Sequence, residues 1–188
     1  ANTMIGIAQL GGHSAFTGKI GFDPRGDQYR DDLEDKGVKA ALGAGEGMTG
    51  SSLILVSIDG SRTMNTHLGM CQELEPDDID EKVLSSTNIL YLTGFLWDTE
   101  SQKASVRHAL EMAENLPVKV ALSLSDPFCV ERHHQDFIEL IRSRVDLLFC
   151  NQEEAFTMME TQVTQEALAG LSENVETVVM TLGNRGSL

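Results

Sequence analysis

The residues best placed to do chemistry in this chain follow apolar runs of strand length. Asp146-Leu-Leu-Phe-Cys-Asn151-Gln-Glu-Glu154 sets a carboxamide and a carboxylate three residues apart, where a strand pattern gives way to a helical one. Asn151 is a good N-cap, since its side-chain oxygen can accept from exposed backbone N–H groups, and Glu154 can reach back to the cap. Taken alone, that is an ordinary capping box. Similar breaks follow three other strand patterns, at Gly94, Ser125-Asp126 and Gly183-Asn-Arg-Gly186. In a parallel sheet all four lie along the carboxyl edge, where open α/β sheets bind ligands. Glycine turns let backbone approach a phosphate, and a carboxamide beside a carboxylate suits Mg2+, which keeps waters and takes one or two carboxylates. The expected chemistry is that of a phosphorylated ligand with a divalent cation. Glycines and caps also occur at such edges where nothing binds.

Other motif-like stretches carry less. Gly45-Glu-Gly47-Met-Thr-Gly50 spells Gly-x-Gly-x-x-Gly, but a strand pattern follows it where a dinucleotide loop requires a helix, and no Walker-type Gly-Lys-Ser/Thr is present. In Gly12-His13-Ser14-Ala15-Phe16, Phe16 stands where a nucleophile elbow needs its second glycine. His133 and His134 are adjacent on an expected helix and point apart, whereas helical metal pairs sit three or four residues apart. Both are expected at the surface. Phe128, after Asp126-Pro127, is either core or an aromatic ring at the crevice, able to lie flat on a base.

The elements that must position these groups can be read in order. Residues 2–10 suit a short helix stopped by Gly11-Gly12, and residues 15–20 a strand. Asp23-Pro24 starts a helix, because proline at its first position loses no needed hydrogen bond, and Gly37 ends it. From Val38 to Leu74 glycines loosen the chain, and residues 52–58 and 62–68 read as a hairpin about Asp59-Gly60. Beyond Asp77-Asp78, strands are expected at 89–93, 118–124, 147–150 and 177–182, with helices at 100–115, 131–144, 152–160 and about 165–171. Strands alternating with helices imply a parallel sheet covered on both faces. The expected layout is an α/β core from residues 1–37 and 76–188, with residues 38–75 as a β insert beside it.

Composition narrows the partners. The chain has 188 residues, 41% of them hydrophobic, enough for one sizeable core. A formal charge of −15 and a pI near 4.6 argue against nucleic-acid backbones and anionic membranes, though not against a small anion held by helix N-termini and metal. Cys71, Cys129 and Cys150 form no Cys-x-x-Cys pair, and an odd count fits reduced thiols in a cytoplasmic protein. No apolar run reaches the roughly 18 residues of a membrane span, and no signal peptide is visible. The first residues already read as helix and the last follow a strand and turn, so an internal piece of a longer chain is expected.

Taken together the motifs resemble those of the ribokinase-like sugar and nucleoside kinases, the PfkB group, from end to end. Ala1-Asn2-Thr3 resembles the close of a Gly-Gly-x-x-x-Asn substrate motif, and Gly21-Phe-Asp23-Pro-Arg-Gly26 the Gly-x-Asp-x-x-Gly signature that follows. The β insert is similar to the family's lid, and Asn151-Gln-Glu-Glu154 to its Asn-x-x-Glu motif, associated with Mg2+ and phosphate. Thr181-Leu-Gly183-Asn-Arg-Gly186 resembles the strand and turn that approach the ATP phosphates. The resemblance implies a ribokinase-like three-layer α/β/α sandwich with a mainly parallel sheet and a small β lid, its N- and C-terminal parts missing. Tyr91-Leu-Thr-Gly-Phe-Leu-Trp97 and the stretch from Leu122 to Phe128 are similar to adenosine kinases.

By that resemblance, Asn2 would hold ribose hydroxyls and Phe128 would contact the base. Asn151, Thr181, Gly183 and Gly186 would lie near the nucleotide phosphates, and Glu154 would serve the metal through water. The family's Gly-Ala-Gly-Asp motif is expected beyond Leu188, so no catalytic residue is expected within the chain and the piece alone should turn over nothing. The implied activity of the intact protein is transfer of the γ-phosphoryl of ATP, with Mg2+, to the ribose 5′-hydroxyl of adenosine. Sugar kinases often carry Asn where Phe128 stands, which favours a nucleoside without excluding ribose or fructose. A non-catalytic nucleoside-binding module and a flavodoxin-like binder are the other readings. The partners implied are small molecules and not nucleic acid or membrane, with the protein a monomer or a homodimer through its β lid.

Overall fold

Capped helices alternating with short apolar strands give eight α-helices and eight β-strands in the computed structural model, which describes residues 1–188. They fall into two units, Ala1–Val83 and Leu84–Leu188.

The first unit begins with α1 (Asn2–Gln9), which stops where Gly11 adopts φ +86°, followed by β1 (Ser14–Gly21). Asp23 caps α2 (Pro24–Asp35) by accepting from Gly26 N–H at 2.8 Å, and the left-handed Gly37 ends that helix. β2 (Val38–Gly45) then pairs in parallel with β1, from Ser14↔Val38 to Gly21↔Gly45. Ile20, Leu33 and Val38 are buried here. The glycines of β2 are required by close packing: a Cβ on Gly43 would collide with the Asp78 carboxylate, and one on Gly45 with the Met70 methyl. The glycine content therefore marks a crowded strand, not a loosened chain. Only β3 (Ser51–Val56) and β4 (Arg62–His67) form the antiparallel hairpin, in register Ser51↔His67. The sequence reading started its insert at Val38, but that residue opens a strand belonging with β1. Leu53, Ile54, Leu55, Val56 and Met64 of the hairpin are all exposed.

The short α3 (Glu81–Ser85) leads into the second unit. Its sheet has the order β5-β6-β7-β8, every pairing parallel, from β5 (Ile89–Thr93), β6 (Lys119–Ser123), β7 (Leu147–Asn151) and β8 (Thr177–Thr181). Between the strands run α4 (Glu100–Ala113), α5 (Pro127–Arg132), α6 (His134–Ser143), α7 (Gln152–Met159) and α8 (Thr164–Ser172). Side chains alternate along a strand, so one face carries Leu92, Leu122, Leu148, Cys150 and Met180. These join Val106, Phe137, Ile141, Met158 and Leu171 from the helices in a single core. Each fully buried leucine in it contributes about 1.5–3 kcal/mol relative to exposure.

One expectation is corrected. Residues 131–144 are not one helix: the chain breaks at His133 (φ −119°, ψ 25°), which ends α5 and starts α6. Two features force the break. Asp126 starts α5 early, its Oδ1 accepting from Phe128 and Cys129 N–H at 2.8 and 3.3 Å, and Phe137 must reach the core, where it meets Trp97 edge-on at 5.1 Å. The two histidines are consequently not free surface groups. His133 Nε2 lies 3.3 Å from Asp98 Oδ1, and His134 Nε2 lies 2.9 Å from the Met158 carbonyl oxygen. No helix is long and apolar enough to cross a membrane.

Candidate active site

The carboxyl ends of β6, β7 and β8 fix the site in the second unit. Asn151 pairs directly with Thr181, and Ser123 with Phe149, so Asp126, Asn151 and Thr181 all emerge at one rim of the sheet. Asn151 and Glu154 form a reciprocal capping box. Glu154 N–H donates to Asn151 Oδ1 at 2.8 Å, while Glu154 Oε2 accepts from Asn151 N–H at 2.9 Å and Oε1 from Asn151 Nδ2 at 2.7 Å. The cap itself is therefore real. It leaves one N–H of the Asn151 amide, and one lone-pair direction on each carboxylate oxygen, for other partners.

Glu154 is only 5% exposed. Burial pushes its carboxyl above the ordinary value, the Asn151 backbone N–H opposes this, and the neighbouring Asp126 and Glu153 charges add to the rise. Carboxylate oxygens are hard donors, the kind that suits a hard divalent cation better than a softer one. A divalent cation there would offset both the burial and the mutual repulsion. With both Glu154 oxygens already holding Asn151, contact through water suits that side chain better than direct ligation. The residues present fit the ion.

Around this pair the rim is built by backbone. Ser125 has φ +75°, uncommon for a residue with a Cβ, and its hydroxyl accepts from Gly94 N–H at 2.9 Å and donates to the Ser123 carbonyl at 3.0 Å. The ends of β5 and β6 are thereby tied together. A Cβ on Gly94 would lie 2.5 Å from the Leu124 carbonyl oxygen, so glycine is needed for the close approach. Phe128 stands on the turn after Asp126 and is 70% exposed, so it is not core. Beyond β8 the chain turns tightly: Gly183 and Gly186 have φ +62° and +88°, and Leu182 N–H donates to the Gly186 carbonyl at 2.8 Å. Arg185 Nη2 reaches Gln152 Oε1 at 2.7 Å, bracing this turn against the start of α7.

The rim thus gathers Phe128, Asn151, Glu154, Thr181, Gly183 and Gly186 within one unit, whereas Asn2 lies exposed at the start of α1 in the other. Sequence reasoning placed Ser125 at this edge but missed its conformation, because nothing in Leu124-Ser125-Asp126 signals a left-handed serine. It also missed that Cys129 and His133 sit one helical turn apart, a spacing visible in the sequence that the adjacent histidines obscured.

Comparisons with known proteins agree with this architecture. Adenosine kinase from Sinorhizobium meliloti matches with a TM-score of 0.92 and 38% identity, over 99% of this chain and 58% of that one. Guanosine-inosine kinase of Escherichia coli (strain K12) is 27% identical over 131 residues, 68% of this chain and 28% of that protein. Probable fructokinase-2 of Arabidopsis thaliana is 26% identical over 121 residues, 61% of this chain and 36% of that protein. The chain therefore spans less than two thirds of the length of each relative. Its α/β fold is ribokinase-like. The sequence model of the pfkB family carbohydrate kinases matches residues 1–188, and the chain belongs to that family.

Proposed function

We propose that the protein containing this chain transfers the γ-phosphoryl group of ATP to a primary hydroxyl of a nucleoside, the ribose 5′-hydroxyl of adenosine. The observation that carries the nucleoside reading is Phe128, a large aromatic ring 70% exposed on a turn whose backbone is locked by Asp126. An exposed ring on a rigid mount costs little entropy to use and offers a flat face for a base. The similarity to an adenosine kinase at 38% identity supports the same choice. The similarity to a probable fructokinase favours a second reading, phosphorylation of a free sugar such as fructose.

In this proposal Mg2+ neutralises charge on the phosphates and is held by Glu154 through water, with Asp126 as the neighbouring carboxylate. The glycine turn at Gly183 and Gly186 and the Thr181 and Asn151 side chains face the phosphates, and Asn2 holds ribose hydroxyls. Phosphoryl transfer asks mainly for positioning and charge stabilisation, and the base and glycine-rich charge hole are assigned to a Gly-Ala-Gly-Asp motif outside residues 1–188. The β3–β4 hairpin is assigned the role of a lid that excludes water. Its exposed Leu53, Ile54, Leu55 and Val56 support closure or pairing with a second copy. None of the three cysteines is in a disulfide, which supports a cytoplasmic location.

The test is phosphotransfer by the whole protein that contains this chain, with ATP, Mg2+ and adenosine, ribose or fructose as acceptors. AMP formation at the highest kcat/KM is the expected result. Faster turnover of fructose would replace the nucleoside reading with the sugar one, and no turnover of any acceptor would overturn both.

A further inference from the structure

We propose that Asp98, Cys129 and His133 form a second, separate metal site for a thiophilic divalent cation of the Zn2+ class. One carboxylate oxygen, one sulfur and one ring nitrogen lie here within 4.8 Å of one another. Cys129 and His133 are held a helical turn apart, His133 N–H donating to the Cys129 carbonyl at 3.0 Å, and the break between α5 and α6 directs the imidazole towards Asp98. His133 Nε2 is already 3.3 Å from Asp98 Oδ1. Zn–S, Zn–N and Zn–O bonds of about 2.0–2.3 Å require ligand atoms roughly 3.3–3.8 Å apart, so closing the triangle takes on the order of 1 Å of side-chain movement.

The chemistry selects the ion. Sulfur, imidazole and a single carboxylate suit Zn2+ and its relatives, whereas Mg2+ and Ca2+ take oxygen. Three protein ligands leave the fourth tetrahedral position to water. The site also has a mouth and a floor: the Asp98 side chain is 29% exposed, that of His133 14%, and Cys129 is fully buried. Supporting contacts are in place. Arg132 Nη2 holds the Asp98 carboxylate at 2.8 Å from Oδ1, and the His133 ring packs edge-on to Phe137 at 6.2 Å. On binding, the Cys129 S–H bond breaks, its proton passes to solvent and the sulfur–metal bond forms, so thiolate and Asp98 carboxylate set two negative charges against the dication and the paired Arg132. Phe128 and Cys129 share α5, so a metal here would fix the rim helix to the segment after β5. The site does not depend on the phosphotransfer reading.

Co2+ titration of the chelator-treated protein tests it. The expected result is one Co2+ per chain, with a thiolate-to-cobalt charge-transfer band and the visible bands of a four-coordinate ion, both removed by stoichiometric Zn2+. Cys129→Ser should abolish the charge-transfer band. Asp98→Asn, a change at the exposed end of the site, should keep the band and weaken Co2+ binding at least about tenfold, and His133→Asn should do the same. No charge-transfer band in the native protein would overturn the proposal. So would a band that survives Cys129→Ser, which would point to Cys71 or Cys150. If Cys129→Ser does not fold, binding indifferent to both Asp98→Asn and His133→Asn would overturn it equally.

Discussion

Asp23 engages Thr49 with both oxygens of its carboxylate: Oδ1 accepts from the hydroxyl at 2.7 Å and Oδ2 from the backbone N–H at 2.8 Å. Oδ1 also caps α2 through Gly26 N–H, and the Thr49 hydroxyl oxygen accepts from Gly21 N–H at 2.9 Å. One carboxylate therefore joins the end of β1, the start of α2 and the segment entering the hairpin. The glycines of Gly21-Phe-Asp23-Pro-Arg-Gly26 are explained by the same contact. A Cβ on Gly21 would collide with the Gly47 carbonyl, and one on Gly26 would lie 2.9 Å from the Thr49 hydroxyl oxygen. The other root of the hairpin is closed by Met70 N–H donating to the Met48 carbonyl at 2.9 Å.

Thr49→Val should cost about 1–3 kcal/mol, because it leaves Gly21 N–H without its acceptor and takes from Asp23 Oδ1 one of its two donors, in a site only 7% exposed. Urea denaturation checks this. An unchanged midpoint would show that the clamp is incidental.

The same donors hold the Asp23 carboxyl down at about 2, against an ordinary 3.8. A depressed folded value means that its contribution is complete above 3.8 and is lost as pH falls towards 2. Thermal melts across that window should show a steeper acid loss in the native protein than in Asp23→Asn. Equal slopes would contradict the assignment.

Asn151→Ala removes the acceptor for Glu154 N–H and one donor to the Glu154 carboxylate, and should cost about 1 kcal/mol as a lost cap. Guanidinium denaturation at neutral pH measures it. No loss would mean that water replaces the cap without penalty.

Glu154 titrates in the opposite sense to Asp23. Burial raises its folded value above the ordinary 4.5, so its ionisation lowers stability as pH rises through that folded value. A bound divalent cation reverses the effect, and Mg2+ should raise the melting temperature at neutral pH more than near pH 4.5. Glu154→Gln should flatten both the pH dependence and the Mg2+ response. Retention of the full Mg2+ response in that variant would remove Glu154 from the metal site.

Phe128→Ala should leave stability within about 0.5 kcal/mol, since the ring is largely exposed. In the intact protein it should weaken adenosine by the ~1–3 kcal/mol typical of base stacking, and fructose by much less. Calorimetry with the two ligands separates the cases, and equal losses would reduce Phe128 to a packing residue.

What the sequence made legible follows from the range of each signal. β5 at Ile89–Thr93, the Asp23-Pro24 helix start and the Asn151–Glu154 box depend on residues within a few positions, and each is visible as a local pattern. The division of residues 131–144 at His133 combines the local Asp126 cap with Phe137 reaching Trp97, a contact from another part of the chain. The strand at Val38–Gly45 was obscured because its glycines answer to Asp78 and Met70, far along the sequence. Ser125 takes its left-handed conformation between Gly94 and Ser123, and no composition rule announces that. Local chemistry could be read directly, whereas groups positioned by distant partners could not.

In the second unit every strand lies beside its nearest relative in the chain, in the order β5-β6-β7-β8. Growth of this sheet never requires a later strand to slip between two that are already joined. Each new strand-and-helix segment can add to a finished edge as synthesis proceeds, in the direction in which a ribosome releases it. The rim is completed in the same sequence: Ser125 and Asp126 are in position before Asn151, and Asn151 before Thr181.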